Sequence, residues 1–195
     1  MQAVSFNLLR KPRPPSMLTD DDKAALLRIA RESVTCEVGG LPSAAPASAR
    51  DLPGASGVFV TLKRRGELRG CIGTLQCQAG LAQEVARTAR ESATQDPRFP
   101  PVSMEEVPEL SLEVSVLGPL DEIDPAAEGA IVVGRHGLVV QQGIRRGLLL
   151  PQVATEWGWT AEQFLRQACR KAGLPDDAWQ QGARVFRFEA DVFRE

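Results

Sequence analysis

The sequence predicts an α+β fold with a mainly antiparallel sheet and flanking helices. Apolar–polar alternation recurs in short runs joined by glycine turns, the mark of hairpins. Between those runs lie stretches with helical spacing and clear start signals, without the regular strand–helix–strand rhythm of a parallel sheet. The 195 residues are 43% hydrophobic and 25% charged. That excludes a disordered chain and suits one domain, since domains run to ~150 residues and such a chain buries roughly 70% of its extended surface.

Each element has its own warrant. Residues 1–16 read as a flexible arm, because Pro12, Pro14 and Pro15 block helix and ladder alike; residues 17–195 read as the folded domain. Thr19 caps a helix whose first turn, Asp20 to Asp22, complements the positive end of the dipole. Leu26, Ile29, Ala30 and Ser33 give it an inward face. The Gly-, Pro- and Ala-rich stretch 39–56 is a loop or a connection between lobes.

From Gly57 the alternation of Val58, Val60 and Leu62 with Phe59, Thr61 and Lys63 predicts a strand, and Glu67 to Leu75 a second. A two-residue Arg65-Gly66 loop would pair Leu62 with Arg69 and mix the faces. A three-residue loop pairs Leu62 with Leu68, Val58 with Ile72 and Lys63 with Glu67, and is preferred here. In that register Arg69, Cys71, Thr61, Phe59 and Gly73 share one face.

Leu81 to Ser92 follows as a helix that ends before Asp96-Pro97-Arg98-Phe99. Leu110 to Val116 is a half-exposed strand, two short strands flank the turn Gly134-Arg135-His136-Gly137, and Gly143 to Gly147 turns again. The last helix has a capping box (Thr160 and Gln163), a hydrophobic staple (Trp159 and Phe164) and a stop at Gly173. Val185 to Phe193 closes the chain as one strand.

The rare residues narrow the chemistry. His136 is the only histidine and tyrosine is absent, which excludes zinc proteases of the HExxH kind, Cys₂His₂ fingers and multi-histidine iron sites. Cys36, Cys71, Cys77 and Cys169 show no CxxC spacing, so neither a metal nor a cofactor enters this reading. Reduced thiols, no run of ~18 apolar residues and no secretion signal place the chain in the cytoplasm, off the membrane. A net charge of −2 argues against nucleic acid as a partner.

Leu68-Arg69-Gly70-Cys71-Ile72-Gly73-Thr74 resembles the hallmark of the AMMECR domain family, whose bacterial and archaeal members are often labelled AmmeMemoRadiSam system protein A. The likeness continues through Gly57 to Thr61, Asp96 to Phe99, Gly134 to Gly137 and Leu150 to Ala154, and ends near Pro175. It implies two unequal lobes with a cleft, and partners of the Memo and radical-SAM types. It brings no defined reaction with it.

Two functional readings follow. In the first, an enzyme binds a small anionic or nucleotide-like substrate in a cleft around this strand, with Cys71 as nucleophile or thiol acid/base, Arg69 stabilising the thiolate and His136 as a base. Gly70, Gly73, Thr74, Asp96, Arg98 and Gln152 would complete the binding surface. In the second, the same surface docks Memo-type or radical-SAM proteins without chemistry. The bland alternatives are a strand cysteine packed as a small hydrophobe, an exposed turn histidine, and solvated arginine tips at Arg64-Arg65 and Arg145-Arg146.

Overall fold

The computed structural model describes residues 18–42 and 52–195; the predicted arm 1–16 and half of the stretch 39–56 lie outside them. The first lobe begins with α1 (Asp20–Val38), capped by Thr19, whose hydroxyl accepts from the Asp22 amide while the Asp22 carboxylate accepts from Thr19. Then come β1 (Gly57–Arg64), β2 (Glu67–Thr74), α2 (Leu81–Thr94) and β3 (Leu110–Leu117). With β8 (Ala190–Arg194) they form a sheet in the order β2-β1-β3-β8, all neighbours antiparallel. Val58, Val60, Leu62 and Val114 are fully buried together with Leu26 and Val34 of α1 and Val85 and Ala89 of α2. Each of the valine and leucine side chains contributes roughly 1.5–3 kcal/mol. The stretch 39–56 joins α1 to β1, two elements of this one core, so it does not link the lobes.

The β1–β2 hairpin departs from the predicted register. Arg65 (φ 54) and Gly66 (φ 86) are both left-handed, the requirement of a two-residue type I′ turn, and Arg64 pairs with Glu67. The mixing of faces expected of that turn is removed by a bulge: Lys63 pairs with Leu68 but Leu62 with Gly70, leaving Arg69 as the extra residue. Beyond the bulge Val60 faces Ile72, Thr61 faces Cys71 and Phe59 faces Gly73. Parity is that of the predicted register, so Cys71, Thr61, Phe59 and Gly73 do share a face.

The second lobe holds β4 (Asp121–Ile123), β5 (Gly137–Gln142), β6 (Arg145–Leu149), α3 (Pro151–Glu156), α4 (Ala161–Lys171) and β7 (Arg184–Phe188), its sheet ordered β4-β7-β5-β6. Leu138, Val140 and Val185 bury one face against Phe164, Ala168 and Cys169 of α4. Gly147 lets α4 come so close that an added Cβ would sit 2.3 Å from the Ala172 nitrogen. Residues 131–133, expected as a strand before the Gly134 turn, are not one, while α3 carried no periodicity to predict it.

The predicted closing strand is two strands in different sheets, β7 and β8, separated by Glu189. Phe186, Phe188 and Ala190 all enter a cluster between the sheets, with Leu117, Val139 and Phe59. The alternation therefore runs unbroken across the pivot, which is why the sequence shows no break. The lobes join at this crossing and at Gly118, whose amide donates to the Glu189 carbonyl at 2.9 Å. Among the described residues no helix is long and apolar enough to cross a membrane.

Candidate functional site

The face of the first sheet turned away from α1 and α2 is covered at one end only. Phe59 and Leu117 pack against the second lobe there, and the Phe59 ring lies across Gly73, where an added Cβ would meet it at 2.0 Å. Beyond that point the face is polar. Cys71, Thr61, Glu113 and Arg194 are consecutive cross-strand partners on β2, β1, β3 and β8, and Lys63 reaches Glu113 at 3.6 Å.

Cys71 is held from three sides. Its amide donates to Asp96 Oδ2 at 2.8 Å and its carbonyl accepts from Arg98 Nη2 at 3.3 Å, both on the free edge of β2. Its half-buried sulfur accepts from the Thr61 hydroxyl at 3.3 Å. Asp96 is buried, and its carboxyl stays ionised far below the usual range. The Arg98 fork, at 2.9 and 2.6 Å, is the largest cause, and the Cys71 and Arg98 amides add to it against the cost of burial. The Arg98 side chain is 54% exposed. A further hydroxyl enters the ladder itself: Ser92 Oγ of α2 accepts from the Ile72 amide at 2.9 Å and donates to the Val60 carbonyl at 2.8 Å, bridging a residue pair.

The predicted residues divide accordingly. Cys71, Asp96 and Arg98 come together. Arg69, expected beside the thiol, is rotated away by the bulge. Its guanidinium forms a two-pronged pair with Glu106 at 2.8 and 2.9 Å and donates to the carbonyls of Pro100 and Pro101. The cation beside Cys71 is thus Arg98. His136 belongs to the second lobe and, contrary to the exposed-turn reading, is 6% exposed. Its Nδ1 accepts from the Val132 amide at 3.1 Å. Burial first, then Arg187 and Arg135, lower its pKa, so the ring is neutral near pH 7. The left-handed residue of that turn is Gly134 (φ 84), not the histidine.

The remaining candidates have local explanations or lie apart. Gly70 admits the Ser92 carbonyl, 2.2 Å from an added Cβ, and Gly73 admits Phe59. Thr74 Oγ1 closes a turn with the backbone of Gln76. The Arg64-Arg65 tip is not free: it pairs with Glu106 and Glu109. Gln152, on α3, lines a cavity of about 710 Å³ between the lobes together with Lys63, Glu113, Arg135, Asp191 and Arg194. Cys71 does not line it. Glu113, Arg194 and Glu106 were missed; β3 does show Ser111, Glu113 and Ser115 on its polar side, but only the strand order puts that side on the same sheet face as Cys71, with β1 between them.

Residues 27–193 match the AMMECR1 family model. A protein of Methanothermobacter thermautotrophicus is 44% identical over 188 residues, 91% of this chain and 96% of its own length. One from Thermococcus kodakarensis is 49% identical over 148 residues, 71% and 72% of the two chains. The crystal structure of an uncharacterised protein from Pyrococcus horikoshii shares the fold with a TM-score of 0.78 at 43% identity, over 87% of this chain and 89% of that one.

Proposed function

Because this chain belongs to the AMMECR1 family, we propose that its LRGCIGT strand serves to present Cys71 as a reactive thiol to a small polar substrate on the polar face of the first sheet. The observation that carries the reading is the clamp: a buried carboxylate and a half-exposed guanidinium fix both backbone groups of one cysteine, while a hydroxyl fixes its sulfur. Rigid placement of a reacting atom supplies much of what catalysis needs. Arg98 has the exposure to meet an anionic part of the substrate and the charge to favour the thiolate. Cys36, Cys71, Cys77 and Cys169 are all free thiols, which supports a reducing, cytoplasmic setting.

Site-resolved alkylation tests it. Burial pushes the Cys77 thiol up to about 11 and also raises Cys169, so Cys71 is expected to alkylate faster than either at pH 7. Arg98→Gln should slow Cys71 several-fold and leave Cys36 unchanged. Equal rates at all four thiols, or no effect of Arg98→Gln, would overturn the reading.

One observation favours the non-catalytic alternative, docking of Memo-type or radical-SAM proteins. The sulfur's hydrogen-bond partner is a hydroxyl donor, Thr61, rather than a base. Cys71→Ser separates the two, since docking survives it and thiol chemistry does not.

A further inference from the structure

The second lobe has a smaller cavity of about 370 Å³, whose charged and polar lining is His136, Arg187, Arg135, Asp121 and Glu189. Arg187 is the cross-strand partner of both Leu138 and Asp121, so these three share one face of the second sheet, the face Leu138 buries against α4. His136 enters from the turn before β5 and is more than nine-tenths buried. Its Nδ1 accepts from the Val132 amide, so the proton of the neutral ring sits on Nε2. That N–H has no hydrogen-bond partner among the described residues. Nor is it one of their sealed unpaired atoms, so it opens into the cavity that the ring lines.

Arg187 is left in the same condition. Its Nη1 donates to the Ala130 carbonyl at 3.0 Å, and it has no ion pair among the described residues. Nε and Nη2, the edge that can take a carboxylate in two parallel bonds, are unbonded and unsealed. Buried donors are almost always paired in native proteins, and here the acceptor must come from within the cavity.

The remaining charges set the ligand. Arg135 is matched by Glu189 at 2.8 Å. Asp121 is exposed and makes no ion pair among the described residues. All four charges act on the His136 ring. A dianion would face two carboxylates with one unmatched guanidinium. A singly charged, planar group with two oxygens fits the free fork and adds no second charge.

We infer that this cavity binds a small monocarboxylate, its oxygens taken by the Nε–Nη2 edge of Arg187 and by the Nε2–H of His136. The only histidine of the chain then serves as a fixed donor, its other nitrogen being held by the backbone. The volume lies within the range of small-molecule sites. The inference is independent of Cys71, which belongs to the other lobe.

A single histidine gives the nitrogen-labelled full chain one imidazole to follow by NMR. The free protein is expected to show the Nε2-protonated tautomer. Propanoate should shift the Nε2–H signal saturably in the millimolar range, phosphate should bind more weakly, and propanamide should not bind. Arg187→Lys keeps the charge but loses the fork, and should weaken propanoate about tenfold. Asp121→Asn removes the carboxylate that opposes the anion and should tighten propanoate several-fold, a gain that a folding defect cannot produce. A proton on Nδ1, propanamide or phosphate binding as well as propanoate, or no saturable shift because the cavity holds only water would each overturn the inference. So would an Arg187→Lys variant that binds like the parent, or an Asp121→Asn variant that binds no more tightly.

Discussion

Arg69 and Arg98 stand two side chains apart in role although both reach the same edge of β2. The Arg69 guanidinium uses its planar fork on Glu106 and two proline carbonyls, with both partners of the ion pair mostly buried. Lysine cannot reproduce that fork. Arg69→Lys is therefore expected to cost about 1–3 kcal/mol, read as a lower urea midpoint at unchanged slope. Arg98→Lys keeps the charge at a half-exposed site and should cost less, while changing the alkylation rate of Cys71. If the two variants behaved alike, the two arginines would not differ in role. The sequence had the right residue types and assigned the wrong arginine. A bulge moves one side chain without altering the alternation around it, so nothing in the run from Glu67 to Thr74 announces it.

At the level of elements, the edge of β2 depends on carboxylates contributed by the loops after α2. Glu106 is held down to about 2, chiefly by the Arg69 hydrogen bonds and then the Ser103 amide, and Asp96 lies well below its ordinary value. Both folded-state pKa values are depressed, so the stability they give is complete above the unfolded values of ~4. It is lost as pH falls from there toward about 2. Glu106→Gln should be less stable than the parent at pH 7, with the gap closing over that acid range in pH-dependent urea unfolding. A constant gap would mean the carboxylate charge does not matter. Helix starts at Thr19 and Thr160 and the strand periodicity of β1 and β3 were legible because capping and alternation are local. The turn type, α3 and the Asp96 clamp were not, because each is settled by contacts made far along the chain.

For the whole molecule, the two cores meet through a small cluster in which Phe188 is almost fully buried and stands over Gly137, 2.3 Å from where a Cβ would be. Phe188→Ala should cost about 3–5 kcal/mol. Because the cluster draws on both sheets, the loss should appear as one cooperative transition at lower denaturant. Two separated transitions by fluorescence and circular dichroism would show that the lobes fold independently. The two-sheet plan itself was beyond the sequence, since β7 and β8 read as one continuous strand and only the pairing partners tell them apart.

The hydroxyl of Ser92 gives the molecule a mechanical linkage. A strand pair normally answers only to its own ladder, whereas here a rung between Val60 and Ile72 is made by a residue of α2. Any push on that helix, from a protein seated on its outer surface or from a change in its own packing, is delivered to the peptide next to the sulfur. The backbone beside Cys71 is thereby joined to the helix on the opposite side of the sheet.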